Sequence, residues 1–189
     1  FFTLLCFLLF INALNMFDGI NCQVGFYSIF IFSIFYFRNI LPEISLALII
    51  SLLFFLILNF RGKVFLGESG VLILAFIISY IFIKSSNTQN NVFFADEIFM
   101  IMALPGIDMF RLFIIRIYNG KHPFTPDMSH VHHLILKYYT STKTFIIIFL
   151  YILVTTLLYF YVDFKLEYLI TYILFYLLII FLLKKKIKN

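Results

Sequence analysis

The sequence predicts an all-α fold, a polytopic transmembrane helical bundle of about seven spans in one integral-membrane domain, residues 1–189. Hydrophobic residues make up 63% of the chain and charged residues only 12%, with a mean hydropathy of +1.07. The apolar residues form seven long stretches, and the basic residues concentrate in alternate gaps between them. A water-soluble domain could not bury this much Phe, Ile and Leu, so we expect lipid to surround the chain.

The seven predicted spans follow one another with short polar connections. Several are shorter than the roughly 17–25 residues of a usual transmembrane helix, so their ends are fixed only to within a few residues. The spans are 1–14, 24–37, 44–60, 71–83, 98–117, 144–162 and 168–183. The segments 38–43, 84–97 and 163–167 are predicted as exterior turns or loops. The fifth span contains Pro105-Gly106, which should kink or break the helix, and Asp108 and Arg111 follow at a spacing that allows an ion pair.

The basic residues predict the orientation of the chain. With alternating crossings, one side receives 11 of the 14 Lys and Arg residues, and the other side receives Arg38, Lys84 and Lys165. The positive-inside rule assigns the richer side to the cytoplasm, so we expect a multi-pass membrane protein whose richer side faces the cytoplasm. The net charge of +5 is not grouped into a surface for nucleic acid, which we exclude as a partner.

Three polar islands interrupt the apolar sequence, at residues 12–21, 62–70 and 123–133. Neighbouring islands are separated by two predicted spans, and two crossings return the chain to its starting side. All three islands should therefore meet on the cytoplasmic face. Polar groups are costly in a bilayer, so this convergence indicates an active site.

The first island carries Asn15, Asp18 and Asn21 at intervals of three, which share one face if the first helix persists that far. Their oxygen atoms are hard ligands suited to Mg²⁺; the alternative is a polar helix cap. In the second island, Glu68 lies in a glycine-rich turn before a span, where free backbone N–H groups favour phosphate. The alternative for Glu68 is again a cap, and Lys63 is either a substrate contact or a topology signal.

The third island contains His130, His132 and His133 after two prolines. On a helix, His130 and His133 share a face, whereas His132 needs irregular backbone to join them. No familiar zinc spacing is complete, and the imidazoles are suited to binding a diphosphate or uracil or to moving protons. We expect these loop residues to bury no core, so their replacement should leave folding unchanged.

Together the islands resemble the polyprenyl-phosphate N-acetylhexosamine-1-phosphate transferases. Residues 12–21 resemble the family segment Asn-Ala-x-Asn-x-x-Asp-Gly-x-Asp, and residues 65–70 resemble Phe-x-Gly-Asp-x-Gly. Residues 105–108 are similar to Pro-x-x-Asp, and residues 123–133 resemble Pro-Phe-x-Pro-Asp-Arg-x-His-x-His-His. The four motifs agree in order and spacing from the first span to the last.

The resemblance implies an eleven-span enzyme of the bacterial cytoplasmic (inner) membrane, with its active site facing the cytoplasm, of which this chain holds the last seven spans. The implied reaction moves a sugar 1-phosphate, with GlcNAc as the expected sugar, from a UDP-N-acetylhexosamine to undecaprenyl phosphate and releases UMP. It starts a lipid-linked cell-envelope glycan within membrane lipid. The implied cofactor is Mg²⁺, with Mn²⁺ as an alternative, and a homodimer is left open. The implied roles are metal binding by Glu68, Asn15 and Asp18; catalysis by Asp18, His132 and His133; and substrate binding by Asn21, Lys63, His130 and Asp127.

Several departures from the family pattern leave alternatives open. Asn21 stands where bacterial members have Asp, Glu68 where they have Asp, and Met128 where they have Arg. The family's Asp-Asp motif, a candidate base, would lie upstream of Phe1, so we expect an N-terminally truncated chain that is inactive alone. The alternatives are an inactive homologue that binds nucleotide-sugar and, less favoured because most span centres are purely apolar, a metal or ion transporter.

Overall fold

The computed structural model describes residues 1–86 and 92–188, and this part of the chain is all-helical. The eight helices are α1 (Phe2–Phe17), α2 (Gln23–Phe37), α3 (Pro42–Phe60), α4 (Gly67–Ser86), α5 (Ala95–Tyr118), α6 (Val131–Leu136), α7 (Ser141–Tyr161) and α8 (Lys165–Lys188). Every predicted span has a matching helix, and α6 is an additional short helix in the third island. The predicted all-α bundle is confirmed.

Five helices, α3, α4, α5, α7 and α8, are long and apolar enough to cross a membrane. Helices α1 and α2 are equally apolar but have only 16 and 15 residues. Local sequence explains where several helices begin. Pro42 starts α3, where its missing N–H costs nothing, and the Thr140 side chain caps α7 by accepting a hydrogen bond from the Lys143 N–H.

The chain forms two compact units, residues 1–102 and 103–189. In the first unit, α2 packs on α3 and α1 packs on α4. A cluster of Phe35, Phe82 and Phe93, with ring centroids 4.8 to 5.9 Å apart, fills one end of this unit. Beside it, Arg38 donates two hydrogen bonds of 2.9 Å to Glu97 and lies over the Phe93 ring. These contacts hold together the end of the unit that is predicted to face the exterior.

In the second unit, the short helix α6 packs against both α7 and α8. The Tyr168 hydroxyl of α8 donates to the Thr155 carbonyl of α7 at 2.8 Å, which ties the two long helices together. Many large apolar side chains of α7 and α8 remain exposed, among them Leu150, Phe175 and Phe181. Such outward apolar surfaces are expected where helices contact lipid.

The structure corrects three local predictions. Helix α1 ends at Phe17, so Asp18 and Asn21 do not continue the helical face that carries Asn15. The fourth helix continues to Ser86, so part of the predicted loop 84–97 is helical, and residues 87–91 lie outside the described residues. Helix α5 runs through Pro105 without interruption, so of the expected kink or break the break is wrong, and the kink stays a prediction.

Candidate active site

The first two islands occupy neighbouring turns of the first unit. Asn15 is half-buried on the last turn of α1, Asp18 follows the helix as an exposed residue, and Asn21 is exposed in the turn before α2. Glu68 is exposed in the first turn of α4, and Lys63 is exposed in the loop before it. Partial desolvation by neighbouring atoms raises the pKa of the Asp18 carboxyl above its ordinary value.

The helix packing brings these two islands to the same end of the unit. The rings of Phe7 on α1 and Phe76 on α4 are in contact, with centroids 5.8 Å apart. At about 1.5 Å per residue, α1 rises roughly 16 Å from Phe7 to Asp18, and α4 spans roughly 12 Å from Phe76 back to Glu68. The two carboxylates therefore lie at similar depth, as the alternating crossings predict. The convergence of the third island with them stays a prediction.

Asn59 joins the loops that carry these islands, and sequence analysis did not identify it. Its side chain, 4% exposed at the end of α3, accepts a hydrogen bond from the Cys22 N–H at 2.6 Å. Its amide nitrogen donates to the Val64 carbonyl at 2.7 Å. One buried carboxamide thus fixes the turn after Asn21 and the loop before Glu68. The sequence feature that could have identified Asn59 is the occurrence of an Asn in the last turn of an otherwise apolar helix.

The turns of both islands contain residues with a positive φ, a backbone conformation that few amino acids adopt readily. Gly67 has a φ of +67°, in the left-handed region that favours glycine, and it directly precedes Glu68. Cys22 also has a positive φ, +71°, without being glycine. This strained turn is held by the hydrogen bond from the Cys22 N–H to Asn59. Both island turns therefore depend on specific backbone conformations rather than on helical regularity.

The residues predicted to bind metal form a sparse set. Within residues 1–86 and 92–188, no group of three His, Cys, Asp or Glu side chains is arranged to hold a metal ion. Two exposed carboxylates, Asp18 and Glu68, and the carboxamide of Asn15 are available at this end of the unit. Such a set fits Mg²⁺, which usually takes one or two carboxylates and completes its shell with water and substrate phosphate.

The second unit contains a buried polar network centred on Asp108 of α5. One carboxylate oxygen accepts from Arg111 at 2.7 Å and from the Tyr176 hydroxyl of α8 at 2.5 Å. The other oxygen lies 2.8 Å from Nδ1 of His130. The predicted pairing of Asp108 with Arg111 is confirmed. Asp108 also shapes the site, because the same carboxylate anchors the histidine loop.

The three histidines of the loop form one cluster. His130 caps the start of α6 with extended backbone, so its ring stacks on that of His132 with centroids 5.4 Å apart. The rings of His132 and His133 are 4.2 Å apart. The extended backbone at His130 is the irregularity expected from the sequence, because it lets the His132 ring join the other two. His132 is 1% exposed, so the expectation that the loop histidines bury no core is wrong for this residue.

The surroundings of His132 and His133 favour neutral imidazoles at these two residues. Burial, followed by the nearby His133 and His130, lowers the pKa of His132 to about 3. Burial and His130 also lower the pKa of His133. Among the side chains that the structure describes, Nδ1 of His132 and Nδ1 of His133 are buried without a hydrogen-bond partner. The hydrogen-bonding capacity of these two ring nitrogens is therefore not used by the described protein atoms.

Asp127 fixes the preceding part of the loop. It accepts a hydrogen bond from Arg116 Nε at 2.9 Å and from the Ser129 N–H at 2.8 Å. Arg116 also donates to the Pro123 carbonyl at 2.6 Å. Although burial opposes the effect, these hydrogen bonds hold the pKa of Asp127 below its usual value. Both carboxylate oxygens are engaged, so the geometry gives Asp127 a positioning role, and its predicted substrate contact stays a prediction.

Comparison with known proteins places these motifs in a family. The family model described as glycosyl transferase family 4 matches residues 1–86. The undecaprenyl-phosphate alpha-N-acetylglucosaminyl 1-phosphate transferase of Escherichia coli K12 is 30% identical over 150 residues, covering 73% of this chain and 41% of the relative. The Haemophilus influenzae protein of the same name is 32% identical over 111 residues, covering 55% of this chain and 31% of the relative.

The chain therefore spans about two fifths of the length of the Escherichia coli relative. No solved structure matches it. The matches agree with the ordered motifs and the all-helical membrane architecture, and they give no support to a transporter or an inactive homologue. The chain belongs to glycosyl transferase family 4.

Proposed function

We propose that the protein transfers a sugar 1-phosphate from a UDP-sugar to undecaprenyl phosphate and releases UMP, with GlcNAc as the sugar. The observation that carries the proposal is the likeness to relatives that are named for this transfer and match 73% of the chain. In the reaction, an oxygen of the acceptor phosphate attacks the phosphorus that bears the sugar. The bond from that phosphorus to the bridging oxygen of UMP breaks, and UMP leaves with the electron pair.

Phosphoryl transfer depends on placing the reactants in line and stabilising phosphate charge. The unpartnered ring nitrogens of His132 and His133 are suited to donate hydrogen bonds to diphosphate oxygens. Asn21 and Lys63 are exposed beside the Glu68 turn, where they are available to the nucleotide. Because the acceptor is a lipid, the site must lie at the membrane surface. The distribution of basic residues supports the cytoplasmic surface.

The proposed cofactor is Mg²⁺, with Mn²⁺ as an alternative. Glu68, Asp18 and Asn15 would hold it at the end of α1 and α4. When bound, the ion neutralises phosphate charge that the protein side chains alone leave unbalanced. As an alternative to metal binding, the exposed Asp18 carboxyl, whose pKa is raised, is available to the acceptor phosphate.

The test is divalent-dependent UMP release by the full-length protein, with UDP-GlcNAc and undecaprenyl phosphate as substrates. Glu68→Gln should lower the rate by at least about 100-fold, because the loss of ligand charge weakens stabilisation of the transition state. Glu68→Asp should retain much of the rate. If Glu68 only caps α4, Glu68→Gln would instead cost about 1 kcal/mol of stability and leave turnover normal.

The histidines provide a second arm of the same test. His133→Ala should impair turnover without affecting folding, because His133 is only half-buried. His132 is buried, so His132→Gln is the better variant, with membrane insertion measured alongside activity. UDP-GalNAc serves as the competing donor that decides the sugar. Wild-type rates in Glu68→Gln and in both histidine variants would exclude these residues from the active site.

A further inference from the structure

The Arg111 guanidinium is buried and only partly satisfied. Its Nε donates to the Tyr176 hydroxyl at 3.0 Å, and its Nη2 donates to Asp108 and to the Ser129 carbonyl, both at 2.7 Å. Its Nη1 is buried without a partner among the residues that the structure describes. An unsatisfied donor on a buried cation is costly, and native proteins rarely keep one without a reason.

This nitrogen belongs to the same cluster as the unpartnered histidine nitrogens. Asp108 accepts from Arg111 and from His130, and the His130 ring stacks on His132. The cluster therefore holds three unsatisfied groups, Arg111 Nη1 and the Nδ1 atoms of His132 and His133. Arg111 Nη1 is a donor, and each neutral imidazole donates from Nδ1 in one of its two tautomers, so a ligand rich in acceptor oxygens complements the cluster. A phosphate group has this chemistry.

Arg111 also lies beside Met128, a loop position where this chain differs from the resembled family segment. The resembled family segment has Arg where this chain has Met128, which is 68% exposed. Arg111 Nη2 holds the carbonyl of the next residue, Ser129. A guanidinium from α5 thus lies beside the loop position that lacks one. Arg116, also buried, uses its Nε and Nη1 on Asp127 and the Pro123 carbonyl.

We propose that Arg111 binds a phosphate of the donor diphosphate through Nη1 and replaces, from helix α5, the cation absent at position 128. The inference rests on the proposed function and adds a donor-binding residue to it. Tyr176 and Asp108 are positioning residues in this arrangement, because they hold the other two guanidinium nitrogens. The site selects nucleotides that carry a diphosphate over the bare nucleoside.

The experiment compares calorimetric binding of UDP and of uridine to the purified full-length protein. Arg111→Gln should weaken UDP binding by about 10- to 100-fold, the usual effect of losing a hydrogen bond to a charged group, and leave uridine binding unchanged. Adding Met128→Arg to Arg111→Gln should restore at least about 5-fold of the loss, a factor that corresponds to a modest exposed contact. Lys137→Gln removes one exposed positive charge from the same unit and serves as the matched control.

Two results would overturn the inference. One is unchanged UDP binding in Arg111→Gln; the other is an equal loss of UDP and uridine binding without recovery by Met128→Arg, which indicates a purely structural role. If Arg111→Gln does not fold, Arg111→Lys replaces it, since it keeps the charge but loses the planar fork. It should weaken UDP binding about 10-fold, and equal UDP binding would overturn the inference. A wild-type protein that binds no UDP would refute the proposed function itself.

Discussion

Replacing Asn59 by Leu tests whether one buried carboxamide holds the first two islands in place. Leu keeps the side-chain branching of Asn but is bulkier, and it removes both hydrogen bonds. The Cys22 N–H is buried, and leaving it unsatisfied should cost about 1–3 kcal/mol. The Val64 carbonyl is only partly buried and can accept from water, which limits that cost to about 0.5–1.5 kcal/mol. Loss of the two hydrogen bonds should therefore lower the unfolding free energy by about 1.5–4.5 kcal/mol.

The assay is equilibrium unfolding in mixed detergent micelles as the fraction of SDS rises. Ser51→Ala is the control, because it removes an exposed hydrogen bond of 2.8 Å from the same helix and should change stability by less than about 0.5 kcal/mol. Limited trypsin digestion adds a local measurement, since cleavage at the exposed Lys63 should accelerate in Asn59→Leu. If Asn59→Leu matches Ser51→Ala in both measurements, the bridge does not hold these loops.

The remaining predictions concern backbone strain, acid stability and topology. Gly67→Ala should lower the free energy of unfolding by about 1–2 kcal/mol, because Gly67 has a positive φ. Gly106 lies within a helix and, like Gly67, has open space around it, so Gly106→Ala should raise the free energy of unfolding by about 0.5–1 kcal/mol. The same SDS titration measures both changes. Because the folded pKa of His132 lies below the ordinary 6.5, the unfolded chain binds more protons under acid conditions, so the contribution of His132 to stability is full above pH 6.5 and should fall by about 2 kcal/mol at pH 5. His132→Gln should lose this contribution and keep the one from His133, whose pKa is also lowered. With exposed native thiols removed, Ser69→Cys should resist an impermeant thiol reagent in intact cells and Asp163→Cys should react, and the reverse pattern would invert the topology.

The order of spans and islands could be predicted because lipid imposes one dominant pattern on the sequence. Each run of hydrocarbon residues corresponds to a helix, and the islands Asn15–Asp18 and Glu68 lie at helix ends as expected. Helix ends were harder to predict. Ser85 and Ser86 continue α4 because their hydroxyls bond to the Phe82 carbonyl, so polar residues that suggest a loop are satisfied within the helix.

The residues that position the site could not be found from local patterns. Tyr176 contacts Asp108 across 68 positions of sequence, and in its own helix it is one more aromatic residue in an apolar run. His132 reads as an exposed loop residue, but the stacked ring of His130 and the packing of α6 against α7 and α8 bury it. Both the contact of Tyr176 and the burial of His132 depend on which helices pack against one another. No short segment of a single sequence reveals that packing.

The hydrogen bond from Tyr176 to Asp108 has a consequence for biosynthesis. Asp108 and the histidine loop emerge from the ribosome well before α8, yet the loop's anchor includes a hydroxyl from that later helix. Until α8 enters the membrane, Asp108 lacks one of its donors and Arg111 Nε lacks its acceptor. The loop should therefore reach its final arrangement only after α8 has been synthesised and inserted. A ribosome that stalls before Tyr176 would leave a membrane-inserted chain whose histidine loop is not yet anchored. Such an incomplete chain should not compete with the finished protein for the donor nucleotide.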